Sequence, residues 1–185
     1  MPNLRHTLCE RIILKNELCV LKPFTEEDVT QTYVDWLNDP ETNRFLESRF
    51  IFHTVDEVLQ DVGRWMANTN ILFYSIRCLD SNRHIGNIKL GPINPFHKTA
   101  DIGYLIGDKS FRGKGIASAA LSSLTQYAFS LGVIKVIAGA YEVNFASIGV
   151  MQRAGFSFEC FHPSQVIFEG ARIGSVVYSK ILEKS

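Results

Sequence analysis

The sequence predicts one α/β domain of α+β character, in which a mixed sheet is covered by helices. Three observations carry that prediction. Apolar residues switch between a period of two and a period near 3.6, in the order strand, helix, helix, three strands, helix, strand, helix, strands. Hairpin turns alternate with crossover helices, which excludes an all-parallel doubly wound sheet. At the centre, the strand-like run Ile102-Gly103-Tyr104-Leu105-Ile106 passes through a short polar turn into Arg112-Gly113-Lys114-Gly115-Ile116-Ala117, a glycine-rich loop that opens directly into a helix.

Residues 1–17 read as a lead-in, loose over 1–10, and the core of the domain as about 18–182. Leu18-Cys19-Val20-Leu21 predicts a short strand stopped by Pro23. Thr25-Glu26-Glu27-Asp28 then has the form of a capping box, and Val29, Tyr33, Trp36 and Leu37 follow at helical spacing until Asn38-Asp39-Pro40 ends the helix. Residues 41–52 are mixed in character and predict a loop or short helix. A second box, Thr54-Val55-Asp56-Glu57, opens a helix whose buried stripe is Val58, Leu59, Val62, Trp65 and Met66. Residues 71–77 are rich in β-formers, Asp80-Ser81-Asn82 makes a turn, and His84–Leu90 alternates as the partner strand. Gly91-Pro92 and Asn94-Pro95 mark a loop before the strand at 100–106.

After the glycine loop, Ala117, Ala120, Leu121, Leu124, Ala128 and Leu131 form one stripe, Ser118, Ser122, Ser123 and Gln126 face outward, and Gly132 suits the helix exit. Val133 to Ala140 is an almost continuous apolar run, as expected of a strand buried on both faces. Asn144 to Arg153 predicts a shorter helix closed by Gly155. Late strands are expected at Phe156–Cys160, Val166–Phe168 and Val176–Ile181.

Composition narrows the function classes. The 185 residues suit one domain with a sizeable core. Nineteen basic and nineteen acidic residues give no net charge, so no general nucleic-acid or anionic-membrane surface is expected. The four cysteines are dispersed and the five histidines form no metal-type motif, so reduced thiols and no metal are expected. Nothing near Met1 resembles a signal peptide, and no apolar run reaches the ~20 residues that span a bilayer. The expected setting is cytoplasmic.

A glycine loop at a helix start offers free N–H groups and the positive end of the helix dipole to an anion. A P-loop needs G-x-x-x-x-G-K-[ST], which this chain lacks. A dinucleotide fingerprint needs a third glycine where Ser118 stands. A tight turn without a ligand is the remaining bland reading. The pattern [QR]-x-x-G-x-[GA] is met by Arg112–Ala117, and its surroundings sharpen it: a strand before, a helix after, a buried strand, then Asn144-Phe145-Ala146-Ser147 and Arg153-Ala154-Gly155-Phe156. This arrangement resembles the GCN5-related N-acetyltransferase (GNAT) superfamily over about residues 18–182, most closely the branch that includes ribosomal-protein N-terminal acetyltransferases. Tyr33–Phe50 and His84–Pro92 are also similar to members that modify amino sugars.

The resemblance implies a mostly antiparallel central sheet flanked by helices, and acetyl-CoA as co-substrate without a metal. It implies that the N–H groups of Arg112, Gly113, Lys114, Gly115, Ile116 and Ala117 hold the pyrophosphate, with the Arg112 and Lys114 charges adding to them. The main chain of Tyr104, Leu105 and Ile106 would pair with pantetheine amides, and Asn144 would hold the same arm from the far side, unless it serves as a helix cap. Direct transfer to an amine needs a base, a polarised carbonyl and a proton for the thiolate. Deprotonating an amine with a pKa of about 10.4 at pH 7 costs roughly 4–5 kcal/mol, against about 1 for one near 8. Asp101 is the expected base and Glu142 the second candidate. Many family members place Tyr seven residues after the motif Asn as the acid, but Met151 stands there and cannot donate. Ser147 is the expected replacement; the thiolate could also leave unassisted.

The acceptor pocket is expected between the first two helices, the 90–98 loop and the late strands, with Tyr33, Trp36, Phe45, Phe50, His84, Asn87 and His97 as candidates. Tyr33 and Trp36 equally suit a core. The expected activity is acetyl transfer to a primary amine in a ternary complex, the acceptor being an amino sugar or sugar nucleotide. Alternatives are a protein N-terminus or a non-catalytic acyl-CoA-binding module. Partners are then a small-molecule or peptide amine, with no nucleic acid or membrane, in a monomer or homodimer.

Overall fold

In the computed structural model of the protein, residues 11–183 are described. The loose lead-in expected over 1–10 lies outside them. Eight strands form a sheet in the order β1-β2-β3-β4-β5-β6-β8-β7. They are β1 (Leu14–Lys15), β2 (Cys19–Pro23), β3 (Leu72–Cys78), β4 (His84–Leu90), β5 (Thr99–Ile106), β6 (Lys135–Tyr141), β7 (Ser157–Phe168) and β8 (Ala171–Ile181). The helices are α1 (Gln31–Asn38), α2 (Val55–Ala67), α3 (Ile116–Ser130) and α4 (Phe145–Arg153). Neighbouring strands run antiparallel except β5 and β6, which are parallel because α3 crosses between them. The mixed, mostly antiparallel sheet flanked by helices is therefore the one expected.

Helices cover both faces. Against one face, α3 and α4 bury Leu121, Leu124 and Met151 on Leu72, Ile76, Ile85 and Ile88, all fully buried. Against the other, α1 and α2 close over Phe24, Tyr33, Val34, Val58, Val62 and Phe73. Period-two alternation makes this possible: Leu72, Tyr74 and Ile76 belong to the first cluster while Phe73 belongs to the second. Each fully buried large apolar side chain contributes about 1.5–3 kcal/mol against the entropy of ordering the chain.

Several local expectations change. The sheet starts inside the presumed lead-in, since Leu14 and Lys15 pair with Leu21 and Val20. The Thr25 box caps a 3-10 turn, Glu26–Asp28, and α1 starts only at Gln31 with Thr30 as its cap. The Thr54 box opens α2 as expected, with the Glu57 carboxylate accepting from Thr54 N. Residues 41–52 contain a 3-10 turn, Glu47–Phe50. The expected breaks within the late strands are bulges instead, and β7 runs on through Pro163 with a register shift between His162 and Val166. Ser118 does not face out; its Oγ is buried. Ser123 accepts from Asn16 Nδ2 at 2.9 Å, fastening the β1–β2 turn to α3. Finally, β6 is not buried on both faces, because Gly139 is exposed and lines a cleft.

Candidate active site

The site begins where two strands part. β5 and β6 pair over Thr99–Asp101 against Lys135–Ile137. From Ile102 onward β5 keeps only β4 as neighbour, and β6 keeps only β8. The gap is the floor of a cleft of about 640 Å³, lined by residues of β5, β6, β8 and the starts of α3 and α4. A strand edge without a partner offers N–H and C=O groups to any extended molecule that carries amides. Tyr104, Leu105 and Ile106 lie along that edge.

One end of the cleft is the glycine loop. Gly113 and Gly115 have φ of 74° and 78°, a region that side chains rarely adopt, and Gly115 is the N-cap of α3. A Cβ at Gly113 would project into open space. The first hydrogen bond of the helix runs from Ala119 N to Gly115 O, so the N–H groups of Ile116, Ala117 and Ser118 precede the α-helical ladder. These features make a concave surface of donors at the positive end of a 15-residue helix. The geometry fits a pyrophosphate.

The two charged side chains of the loop serve differently from expectation. Arg112 Nε donates to Ile106 O at 3.1 Å and Nη2 donates to Thr42 Oγ1 at 2.8 Å, while Nη1 lies 3.3 Å from Glu41 Oε1. Its guanidinium is thus committed to fastening the 39–42 turn onto the loop. In that turn the Thr42 hydroxyl, and next Lys109, hold the Asp39 carboxyl at about 2. The Lys114 ammonium lies 5.4 Å from the centre of the Phe111 ring, and Lys114 is not among the residues lining the cleft.

The far wall is the start of α4. Asn144 Oδ1 accepts from Ser147 N at 3.2 Å, so Asn144 is the helix cap; its Nδ2 has no protein partner among the described residues. Ser147 Oγ lies 2.8 Å from the Tyr104 hydroxyl. Burial pushes the Tyr104 phenol up to about 12, against the smaller lowering from Ser147. Met151 is fully buried in the core and faces no cleft.

The structure thus gathers Tyr104, Leu105, Ile106, Arg112, Gly113, Gly115, Ile116, Ala117, Asn144 and Ser147 around one cavity. It does not bring the expected bases there. Asp101 lies on a separate cleft with Pro92, Ile93 and Phe96, where β5 is still paired with β6 through Ile137. Glu142 Oε1 accepts from Gly174 N at 2.6 Å and ties the end of β6 to β8. Of the expected acceptor residues Phe45 lines the cleft, while Tyr33, Trp36, Phe50, His84, Asn87 and His97 do not. Trp36 and His84 pack together at 5.2 Å between ring centres, His84 Nε2 lies 2.7 Å from Asn87 Oδ1, and Asn87 is buried. Phe50 is 68% exposed under the Arg49 guanidinium, 4.1 Å from its ring centre. Cleft residues that sequence reasoning missed are Glu47 and Tyr141, whose side chains hydrogen-bond across 94 residues.

Among the described residues no group of three or more His, Cys, Asp or Glu could hold a metal ion, and no helix is long and apolar enough to cross a membrane.

A parted strand pair beside a glycine loop at a helix start defines a domain built to seat a long, amide-bearing anion. The sequence profile of the acetyltransferase (GNAT) domain matches residues 19–157, and the chain belongs to that family of N-acetyltransferases. Among curated proteins it is 25% identical to the uncharacterized N-acetyltransferase YoaA of Bacillus subtilis over 90% of this chain and 95% of that one. Among solved structures, spermidine N-acetyltransferase from Vibrio cholerae superposes with a TM-score of 0.81 at 17% identity, covering 90% of this chain and 96% of that one. The ribosomal L7/L12 alpha-N-protein acetyltransferase RimL superposes at 0.80 with 22% identity, covering 92% and 98%.

Proposed function

We propose that the protein transfers acetyl from acetyl-CoA to a primary amine by direct attack within a ternary complex, the acceptor being an amino sugar or sugar nucleotide. The observation that carries this reading is the parting of β5 and β6 after Asp101, in a cleft continuous with the Gly113–Gly115 loop. Acetyl-CoA supplies an activated acyl group on a tolerable leaving group, a thiol with an ordinary pKa near 8.5.

The chain's own groups divide the remaining work. The N–H groups at the start of α3 receive the pyrophosphate. The free edge of Tyr104–Ile106 pairs with pantetheine amides, and Asn144 offers its Nδ2 from the opposite wall. A main-chain N–H of the same edge polarises the acyl oxygen. Ser147, supported by the Tyr104 hydroxyl, holds a proton beside the sulfur that leaves.

The solved relatives span several acceptors. RimL is described as acting on a ribosomal protein, the Vibrio cholerae enzyme was solved with CoA and spermine, and a microcin C7 self-immunity acetyltransferase was solved with acetyl-CoA and AMP. They share a donor and do not select the acceptor of this chain.

Two measurements test the reading. Acetyl-CoA and CoA should both raise the melting temperature, by about 2.7 kcal/mol of stability at 100 times Kd. CoA release should then appear with at least one amine from a panel of amino sugars, peptides and polyamines. No melting shift sinks the donor assignment. A shift without turnover points to the binding-module alternative.

A further inference from the structure

The cleft has a second end, away from the glycine loop, walled by Phe45, Leu46, Tyr141 and Val166. The described carboxylate residues that line the cleft are Glu41 and Glu47. Glu41 lies at the loop end and is paired with Lys109 at 2.7 Å and with Arg112. Glu47 is exposed, stands at the walled end and has no ion pair among the described residues.

Glu47 is also held in place. Its Oε1 accepts a hydrogen bond from the Tyr141 hydroxyl. That hydroxyl accepts in turn from Arg49 Nη1 at 2.7 Å, and the same nitrogen donates to Leu46 O at 2.8 Å. Burial, and next the Glu47 hydrogen bond, push the Tyr141 phenol above its ordinary value, so the proton stays on Tyr141. Arg49, Tyr141 and Glu47 thus form a hydrogen-bonded chain that runs from the guanidinium to the carboxylate. Phe45 stacks on Phe168 at 5.2 Å and meets Tyr141 edge-on at 6.1 Å, and Phe45 and Tyr141 line the cleft together with Glu47. Arg44 lies over the Phe45 and Phe168 rings and Arg49 over the Tyr141 ring. A carboxylate between aromatic walls is the chemistry that recognises an alkylammonium group.

Resting on the acetyltransferase reading, we propose that Glu47 receives the acceptor's ammonium group and takes its proton, with Tyr141 as its positioning residue, and that the acceptor carries one ammonium. The proton passes from nitrogen to the free Oε2 of Glu47. The neutral nitrogen then forms its bond to the acyl carbon as the carbon–sulfur bond breaks. The second nitrogen proton ends on the sulfur as the free thiol, and the proton on Glu47 returns to water through the cleft. A polyamine would bring further charges to a wall that otherwise offers the apolar side chains of Phe45, Leu46 and Val166.

The test uses the full chain saturated with CoA, with 2-phenylethylamine, glucosamine, a seryl tripeptide and spermidine as probes. At least one monoamine should raise the melting temperature of the CoA complex, and Glu47→Gln should abolish that second shift while keeping the first. With the same amine and acetyl-CoA, Glu47→Gln should lower kcat/KM for the amine about 100-fold at pH 7. That loss should shrink by pH 9, where more of the amine is already neutral, and Glu47→Asp should recover part of it. Tyr141→Phe should raise the KM for the amine and leave that for acetyl-CoA alone. The proposal is overturned if Glu47→Gln keeps wild-type kcat/KM, if its loss is equal at pH 7 and pH 9, or if spermidine is the sole amine to bind. No amine shift on an intact CoA complex also overturns it, while the donor reading survives. A wild-type chain with neither a CoA shift nor turnover overturns both.

Discussion

The Tyr104 hydroxyl lies 2.8 Å from Ser147 Oγ and 3.2 Å from the Ser147 carbonyl oxygen, joining the free strand edge to the start of α4 across the cleft. Tyr104 comes from β5, before the glycine loop, and Ser147 from the helix after β6. With its phenol pushed up to about 12 by burial, Tyr104 keeps its proton through any ordinary assay range. The Tyr104 hydroxyl is therefore a protonated, fixed neighbour of the Ser147 side chain.

Removing Ser147 Oγ should then cost more than removing the Tyr104 hydroxyl. Ser147→Ala is expected to lower kcat about 100-fold, the low end for general acid catalysis. Tyr104→Phe loses one buried hydrogen bond of about 1 kcal/mol and should lower kcat about fivefold. Both are read by CoA release under conditions where chemistry limits. Unchanged turnover in Ser147→Ala would remove it as the acid.

The loop makes a prediction that separates backbone strain from ligand space. Gly113 at φ 74° and Gly170 at φ 82° both have nothing within 4 Å of a built Cβ. Alanine at either should cost about 1–2 kcal/mol through left-handed backbone alone. Gly113 lines the cleft and Gly170 does not. Gly113→Ala should thus raise the KM for acetyl-CoA more than tenfold, while Gly170→Ala, with a similar drop in melting temperature, leaves it unchanged. Equal KM values in the two variants would separate the loop from the donor.

What was legible in the sequence followed from local chemistry. The loop glycines, the Thr54 box and the bounds of β4 each depend on a few neighbouring residues and stand where predicted. The expected alternation of β4 is broken by a bulge that puts Ile85 and Ile88 in one core cluster. The Thr25 box was misread because it caps a 3-10 turn whose exit at Val29, with ψ 75°, interrupts the helix. The late strands at Phe156–Cys160 and Val166–Phe168 were expected to be separate, and the bulge that joins them into β7 depends on β8 alongside. The apolar run of β6 suggested burial on both faces, yet one face lines the cleft that opens when β5 leaves. Glu47 had no signal of its own. It sits in a segment without a period, and its meaning comes from Tyr141, 94 residues later.

Trp36 earns its place from a glycine. A Cβ on Gly107 would lie 2.0 Å from Trp36 Cδ2 and 2.1 Å from Cε3. The indole lies edge-on to His84 and Tyr33, at 5.2 and 6.4 Å between ring centres. Gly107→Ala should cost about 1–3 kcal/mol by overpacking, lowering the melting temperature by about 2–12 °C. Adding Trp36→Leu should recover part of that loss, because the two changes share one space. Simple additivity of the two losses would show that the indole moves aside freely.

His84 gives the chain a defined acid sensitivity. It packs against Phe24, Tyr33 and Trp36, and burial, more than any other cause, holds its imidazole below the ordinary value of about 6.5. Asn87 works against that shift by hydrogen bonding, and the Asp28 charge does so more weakly. The folded state therefore resists a proton that the unfolded chain accepts. Above about pH 6.5 neither state is protonated and the ring contributes nothing to the pH dependence; as pH falls below it, the unfolded state binds more protons and stability declines. His84→Asn should be less stable than wild type at pH 8, through lost ring packing. Its melting temperature should then fall less steeply than wild type between pH 6.5 and 5, so that the gap between the two proteins narrows. Parallel curves over that range would mean that the buried ring titrates as it does in the unfolded chain.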